Sequence, residues 1–505
     1  MSSNQRKVSL SSIGILATFL IYFIFCYAAH LLTSRVERVP LPQISRPESW
    51  SPEPDDIYAI ISRSKTDPDS NEQFCQKLKF NFSKVQGKND TIHCAFQQIQ
   101  LNEFEDNSVD SFLTQFSFET GISWFFLGDT GQENSVVLGQ FSHAWSVQGQ
   151  LDEDSWIADS LSVFSRMVHD AAHNRPVQIQ SQKNYLLSFS VLVEDPEEAN
   201  IEWNFKQVIN EYLQPFLQRI RPIFSTRIDS QIIYYADIAD HVQIGEDGST
   251  FLTQAQLEGF MGRTKWNVES IHTPSHPALH FFIYIPLSKH SPLLIQSDYK
   301  NTMAFCIPRW GGLTIGNSLA KLNASAEDFD LVMPVVLAQI RMLLGFPDPL
   351  WSFQDLKTAR QIFSNVGVAD WEVGLIQRQR LQQNYHAGYD KLHALMRLLD
   401  ENLQLPVQPH VGKLIEQAVS NLDRCMQNMQ SGLYDKAYDL CLDGYIAAHS
   451  AFFDETMLPL LYFPDEHVYA VYAPYFLSIF SVTISRTLQF IKSLRRKDDR
   501  VSVSQ

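Results

Sequence analysis

The pattern of apolar and polar positions predicts a membrane-spanning helix near each end of the chain. One apolar run extends from Ile13 to Leu32, and the other extends from Val468 to Ile484. Nearly uncharged runs of about this length can cross the hydrocarbon core of a bilayer, and a Lys/Arg cluster beside a span favours the cytosolic side. The basic residues beside the two runs include Arg6, Lys7, Arg486, Lys492, Arg495, Arg496 and Lys497.

These flanks predict that both termini are cytosolic and that most of the protein is lumenal. We expect spans over residues 13–33 and 467–485, a cytosolic N-terminus over residues 1–12 and a basic cytosolic tail over residues 486–505. A cleaved signal peptide is the alternative for the first run, since Cys26-Tyr27-Ala28 resembles a cleavage site. We favour an uncleaved anchor because the run is longer than the usual apolar core of a signal peptide.

Between the spans, strand-like and helix-like segments interleave over residues 34–350, which predicts a lumenal α/β domain with a mixed sheet. The predicted strands are Asp56–Ser62, Thr91–Leu101, Ser135–Val147, Tyr185–Val193, Ile223–Ala236, Leu279–Pro286, Leu293–Gln296, Ala304–Ile307, Gly311–Gly316 and strands within Phe112–Leu127. The predicted helices are Ser70–Phe80, Ser155–Ala172, Trp203–Ile220 and Ala326–Leu344. Pro215 should kink or break the third helix, because proline lacks the backbone N–H that a helix interior requires.

Helical periodicity replaces this alternation over residues 351–466. Apolar stripes at helical spacing predict three helices, Trp371–Leu403, Val411–Met429 and Leu433–Phe453, that pack as an antiparallel bundle. The stripe positions are Leu392, Leu395, Met396, Leu399 and Leu403 in one helix, and Leu414, Ala418, Leu422, Cys425 and Met429 in the next. We expect helix breaks at Pro406, Pro409 and Ser431-Gly432, and the sequence shows no internal repeat.

Composition limits the class of protein further. A chain of 505 residues exceeds what one hydrophobic core usually supports, so two or more packed units are expected. The chain is 45% hydrophobic and 19% charged, which is typical of globular proteins. Its formal net charge of −16 argues against a nucleic-acid partner, because contacts to phosphates require clustered Lys and Arg.

Sequons and cysteines agree with a lumenal location. N-glycosylation sequons begin at Asn81, Asn89 and Asn323, all between the predicted spans. The lumen permits disulfides, and Cys75 with Cys94 is the closest pair that frames a helix-loop-strand unit. Five of the six cysteines follow the first predicted span, so at least one lumenal thiol should be free or bonded to another chain.

The candidate chemistry is weak. His169 and His173 lie four residues apart, as in a zinc-protease helix, but Asp170 replaces the usual Glu and no third ligand is evident, so surface histidines are the simpler interpretation. Four histidines recur in a segment that we expect to be a loop: His272, His276, His280 and His290. Acidic groups such as Asp195, Glu197 and Glu198 have the pattern of a solvated turn.

We therefore expect no catalytic residue, no metal site and no cofactor. Nucleophile elbow, phosphate loop and dinucleotide signatures are absent from the sequence. Arg309-Trp310-Gly311-Gly312 has two interpretations, because a Trp beside two glycines could line a groove or could pack at the start of a bulged strand. The second interpretation is the simpler one.

Four groups of segments resemble the PIG-S family, a subunit family of the glycosylphosphatidylinositol (GPI) transamidase. They occur in the same order and with the same flanking spans, and the resemblance is weakest between Phe104 and Asp154. The segments are Gln214–Leu217 with Asp229–Tyr235, His290–Gln296, Pro308–Gly312, and Ala451–Asp454 with Leu460–Asp465. The sequon at Asn323 also matches this family, whereas Asn81 and Asn89 have no counterpart in it.

This resemblance implies a non-catalytic subunit in the endoplasmic reticulum membrane, acting in complex assembly or substrate handling. The implied partners are other GPI transamidase subunits, among them a caspase-like cysteine protease that holds the catalytic Cys/His dyad, together with membrane lipid and, indirectly, GPI-accepting proproteins. A free-standing lumenal hydrolase anchored at both ends is the alternative. Such an enzyme would assemble its active site from residues far apart in the sequence.

Overall fold

The structure, a computed structural model, describes a little over half of the chain. The described residues are 39–42, 44, 56–62, 72–80, 91–96, 123–128, 135–141, 143–148, 153–169, 179–199, 205–236, 243–244, 250–252, 277–296, 301–321, 326–346, 359–361, 366–401, 407–456, 474, 481, 485, 488, 489 and 492. Two compact units share the chain. The first unit contains residues 1–46, 387–420 and 447–505, and the second contains residues 47–386 and 421–446.

Fourteen strands of the described residues form three sheets in the second unit. The strands are β1 (Asp56–Ser62), β2 (Thr91–Phe96), β3 (Ser123–Gly128), β4 (Ser135–Leu138), β5 (His143–Val147), β6 (Asn184–Val193), β7 (Ser225–Tyr234), β8 (Gln243–Ile244), β9 (Thr250–Leu252), β10 (Ala278–Ile285), β11 (Leu293–Ile295), β12 (Ala304–Ile307), β13 (Gly311–Ile315) and β14 (Ala359–Gln361). The first sheet has the order β14-β4-β5-β3-β1-β2, the second β12-β13-β10-β6-β7, and the third β11-β9-β8.

The helices of the described residues are fewer and vary more in length. They are α1 (72–80), α2 (Glu153–His169), α3 (Phe205–Val208), α4 (Gln214–Ile220), α5 (Met333–Leu344), α6 (Asp370–Glu401), α7 (Pro409–Gln430) and α8 (Tyr434–Phe452). A five-residue π-helical segment, Ile209–Leu213, joins α3 to α4. Short 3-10 helices cover Ser288–His290, Asn317–Leu319 and Ala326–Leu331.

The first two sheets repeat one topology. In each, the chain forms a strand, a helix and a second strand parallel to the first, then a third parallel strand, an antiparallel hairpin and a closing helix. The series β1, β2, β3, β4, β5 corresponds to β6, β7, β10, β12, β13, and both series have the same spatial order. The repeat is therefore one of topology, and it has no counterpart in an evident sequence motif that the two halves share.

The α/β class and the mixed character of the sheets are confirmed. Parallel pairs dominate, and the antiparallel hairpins β4–β5 and β12–β13 make both large sheets mixed. The central strands β6 and β10 are buried along most of their length, which explains their nearly continuous apolar sequences. The third sheet covers one face of the second, because Leu252, Leu293 and Ile295 share a core cluster with Phe282 and Tyr284.

Pro215 changes the helix without ending it. The helical run continues from Phe205 to Ile220, and Pro215 occupies the first turn of α4, directly after the π-helical segment. A proline cannot donate to the carbonyl four residues earlier, and a local change to wider π-type hydrogen bonding accommodates that loss. The predicted break is therefore a change of helix type.

The helical region agrees with its predicted pattern apart from its boundaries. In α6, Leu392, Leu395 and Leu399 are buried, whereas Met396 is half-buried and Leu403 lies outside the described residues. In α7, Ile415 is buried in place of the half-buried Leu414. Pro409 begins α7 rather than breaking a helix, since its missing N–H would have no partner in a first turn anyway. The predicted helix at Ala326–Leu344 divides into a 3-10 helix and α5.

The two predicted spans, residues 13–33 and 467–485, lie almost wholly outside the described residues. Within the part of the chain that the structure describes, no helix combines the length and apolarity needed to cross a membrane.

Gly311 should be indispensable for pairing β13 with β10. Its φ of +149° is rare for other residues, and an added Cβ would lie 1.8 Å from the backbone oxygen of His280. We expect Gly311→Ala to lower the free energy of unfolding by about 2–4 kcal/mol, measured by chemical denaturation of the purified chain. Gly374→Ala is the matched control, because an added Cβ there meets nothing within 4 Å and should stabilise α6 by about 0.5–1 kcal/mol. Equal effects of the two substitutions would contradict a close approach of the β10 backbone to Gly311.

Candidate functional site

The second sheet has its topological switch point between β6 and β10. Strand β7 pairs with β6 and strand β13 pairs with β10, on opposite sides of this central pair, and all of these pairings are parallel. In open α/β sheets, ligands usually bind beyond the carboxyl ends of the strands at such a point. Glu194 follows β6 and Leu287 follows β10, so these residues lie where a ligand site would be expected.

Glu194 is the central side chain of this region. Its carboxylate is 3% exposed, and Oε1 lies 2.8 Å from Nδ1 of His290, whose side chain is 14% exposed. The other oxygen, Oε2, accepts a hydrogen bond from the backbone N–H of Leu287 at 2.8 Å. Both oxygens therefore have partners within the chain, and the carboxylate fixes the segment that follows β10.

Further hydrogen bonds hold the same segment. The Thr250 hydroxyl donates to the carbonyl of His290, and the Thr250 N–H donates to the carbonyl of Pro292 at 3.2 Å. The Asn317 side chain, which follows β13, accepts from the N–H of Leu293 at 2.9 Å and donates to its carbonyl at 3.0 Å. The chain's own residues 286–296 thus occupy the carboxyl ends of the central strands.

Catalysis by the Glu194–His290 pair would require a nucleophile close to the imidazole. Cys306 is the one free cysteine of the described residues, and burial raises the pKa of its thiol to about 11. Cys306 pairs with Gly312 of β13, and Gly312 pairs with Phe281 of β10. Phe281 pairs in turn with Phe189 of β6, which precedes Glu194 by five residues. Five residues along a strand correspond to about 16 Å. The thiol therefore lies too far away to act with His290.

The Arg309–Gly312 segment is a packed corner. Arg309 has a φ of +66°, and Trp310 stacks on Phe282 with ring centroids 5.4 Å apart. Gln339 of α5 donates from Nε2 to the carbonyl of Leu313 at 2.9 Å. An added Cβ at Gly312 would lie 2.4 Å from Gln339 Oε1, so this glycine allows the helix to approach. These contacts favour the packing interpretation over a binding groove.

The other predicted candidates do not come together. His169 ends α2, whereas His173, His272 and His276 lie outside the described residues. His280 lies on β10, in agreement with the predicted strand Leu279–Pro286, so the interpretation of a loop around this histidine is wrong. Asn81, Asn89 and Asn323 also lie outside the described residues. Among the residues that the structure describes, no group of three or more potential ligands could hold a metal ion.

Four of the cysteines that the structure describes form two disulfides. Cys75 of α1 is bonded to Cys94 of β2, and Cys425 of α7 is bonded to Cys441 of α8. The second bond was missed because Cys425 fits the apolar stripe of α7 and was assigned to it. Its partner, Cys441, lies 16 residues later in the next predicted helix. Two antiparallel helices joined by a short turn can bring such a pair within disulfide distance, so the spacing was a usable signal.

Two arginines that bind inside the fold were also missed, the half-buried Arg341 and the buried Arg380. Arg341 forms a two-hydrogen-bond ion pair with Glu372, with 2.6 Å between Nη2 and Oε1, and Glu372 also accepts from the N–H of Ala369. Arg380 is fully buried, donates to the Tyr185 hydroxyl at 2.9 Å, and lies 4.2 Å from the ring centroid of Phe224. In the sequence, both residues look like ordinary surface positions of a helix.

The comparisons with known proteins all point to the same family. A family model described as "PIG-S: Phosphatidylinositol-glycan biosynthesis class S protein" matches residues 17–497. The proteins named "GPI-anchor transamidase component PIGS" of Rattus norvegicus and Homo sapiens are 28% and 29% identical over 345 residues. These alignments cover 66% of this chain but only 59% of each relative. "GPI transamidase component PIG-S homolog" of Schizosaccharomyces pombe is 22% identical over 410 residues, which cover 79% of this chain and 70% of that protein.

Replacing Glu194 should destabilise the second unit. Glu194→Ala removes the partner of both His290 and Leu287, and we expect a loss of about 2–4 kcal/mol in the free energy of unfolding. Glu197→Ala is the control, because this neighbouring carboxylate is exposed and its removal should change stability by less than about 0.5 kcal/mol. Chemical denaturation of the purified variants measures both effects. Similar values for the two variants would show that Glu194 does not hold the segment.

The Cys306 thiol should react slowly with alkylating reagents. Because only the thiolate reacts, a pKa of about 11 should slow alkylation at pH 8 by about 100-fold relative to an ordinary cysteine. Peptide mass spectrometry after timed exposure to iodoacetamide measures the rate, and the same peptide in the denatured chain supplies the reference. An equally fast reaction in the folded chain would contradict the burial that raises this pKa.

Proposed function

The chain belongs to the PIG-S family of phosphatidylinositol-glycan biosynthesis proteins, and on this premise we propose that it is a non-catalytic subunit of a GPI transamidase. The observation that carries the proposal is the family match over residues 17–497, together with relatives that are named as transamidase components. In this role the chain assembles with a caspase-like cysteine protease and further subunits. It contacts membrane lipid directly and reaches GPI-accepting proproteins through its partners.

The geometry of the second sheet supports a role without catalysis. The position where α/β enzymes bind ligands is occupied by the chain's own segment 286–296, held by Glu194, Thr250 and Asn317. A substrate would have to displace this segment and leave the Glu194 carboxylate without its partners. Such a displacement is costly, because buried polar groups without partners lose about 1–3 kcal/mol each.

The proposed location is the endoplasmic reticulum membrane, with residues 13–33 and 467–485 as spans and both termini cytosolic. The two disulfides support an oxidising compartment for the second unit, since disulfides are rare in the cytosol. We propose N-glycans at Asn323, Asn81 and Asn89, all between the spans.

A membrane-anchored hydrolase is the second candidate, and the Glu194–His290 pair is the observation that favours it. A carboxylate that orients an imidazole is two thirds of a catalytic triad. Against it, both carboxylate oxygens bind within the chain, and the Cys306 thiol lies about 16 Å along the sheet. The subunit role therefore has the stronger support.

Expression of the full chain in cells that lack it tests the proposal. The expected result is that purification in mild detergent recovers a caspase-like cysteine protease and that GPI-anchored reporter returns to the cell surface. Cys306→Ser and the double variant His169→Ala with His173→Ala should restore the reporter as well as the unchanged chain does. Reporter level by flow cytometry, normalised to the amount of assembled chain, is the measurement.

Two outcomes would overturn the proposal. A chain that purifies alone and hydrolyses substrate is a hydrolase. Loss of reporter in a variant that assembles at the normal level would place a catalytic residue in this chain.

A further inference from the structure

The first unit brings together a residue that shortly follows the first predicted span and a residue of the segment that leads to the second. Val39 follows the first span by six residues, and Asp454 precedes the second by thirteen. Both residues contact the first turn of α7. An added Cβ at Gly412 would lie 3.1 Å from Cγ1 of Val39, and Nε2 of His410 lies 2.9 Å from Oδ2 of Asp454.

These contacts limit how far the first turn of α7 can lie from a membrane. Six residues of extended chain reach at most about 21 Å, so Val39 is within that distance of the end of the predicted span. The headgroup layer adds about 5–8 Å beyond the hydrocarbon core of each leaflet. Gly412 touches Val39 and therefore lies within about 15–20 Å of the headgroups by these lengths.

The side chains beside these contacts suit a lipid surface. Phe453 is 50% exposed although it is a large apolar residue. Its ring centroid lies 4.7 Å from that of His449, and the ammonium of Lys391 lies 5.3 Å from the same centroid. An exposed aromatic ring beside a long basic side chain is typical of residues at a membrane interface, where the ring meets acyl chains and the cation meets phosphate.

One of the two acidic residues that follow Phe453, Asp454, is already bonded inside the protein, whereas the next one, Glu455, is exposed. Asp454 contacts His410 through Oδ2, and its Oδ1 accepts the N–H of Thr456 at 3.0 Å. Burial lowers the pKa of Lys391. The pKa of His449 is also lowered, mainly by burial and to a smaller extent by the positive charge of Lys391. Both shifts have the direction that a bound phosphate would reverse, because an anion stabilises the protonated forms.

We infer that Val39, Lys391, His410 and Phe453 form an exit surface that rests on the phospholipid headgroup layer, with the Phe453 ring in the interface and Lys391 next to lipid phosphate. This inference depends on the membrane topology of the proposed function. It adds that the segment after the first span and the segment that leads to the second span meet at one helical turn.

Site-specific photo-crosslinking tests the exit surface in the full chain within its complex. We would place p-benzoylphenylalanine at position 453 and, as the control, at position 420. Ser420 is exposed, belongs to the same unit and lies about 12 Å along α7 from Gly412. After irradiation of microsomes that contain alkyne-labelled phosphatidylcholine, the lipid adducts of each variant are quantified by fluorescent click labelling. The expected result is several-fold more lipid adduct at position 453 than at position 420.

Equal lipid labelling at both positions, or labelling of a partner protein at position 453 in place of lipid, would overturn the inference. Carbonate extraction and recovery of the caspase-like protease are measured on the same microsomes. A chain that resists extraction and recovers its partners, yet gives no lipid adduct at position 453, refutes the exit surface alone. A chain released by carbonate refutes the proposed topology itself.

Discussion

Burial of both faces of the second sheet is the constraint on which the rest of the second unit depends. The central strands β6 and β10 have no solvated face, so every element around them must bring either apolar side chains or a hydrogen-bonding partner. Gln339 does this from α5, and Glu194 does it at the carboxyl ends of the strands. The small third sheet closes the remaining face with Leu252 and Leu293. The polar contacts that resemble those of an active site therefore complete the packing of the sheet.

The strands and helices were largely predictable, because apolar runs and helical stripes record burial directly in the sequence. β1 was predicted with its observed bounds, and the α/β class followed from the alternation of elements. The motif resemblance to the PIG-S family is confirmed by the match over residues 17–497. Topology was not predictable, since strand order depends on contacts between distant segments. The repeated order of the two sheets was invisible because packing preserves a pattern of apolar positions and not particular residues.

The candidate site was missed for a similar reason. Glu194 stands beside Asp195, Glu197 and Glu198, and its neighbours do behave as a solvated turn, with Asp195 capping the N–H of Glu197. Only the position of Glu194 directly after a central parallel strand distinguishes it. The partner, His290, is almost a hundred residues away, and local patterns cannot show such a pair. Arg380 is another such case, because its aromatic neighbours are Tyr185 of β6 and Phe224, the residue just before β7.

The repeated topology creates a problem of self-recognition during synthesis. Two sheets with the same order offer each other compatible strands, and parallel strands pair slowly because long loops must close first. The Cys75–Cys94 bond joins α1 to β2 across only 19 residues, so it can form while the second half is still on the ribosome. Oxidation of this pair would then commit β2 to its own half before β6 and β7 are available. A bond that adds a modest amount to the final stability can in this way decide which strands meet.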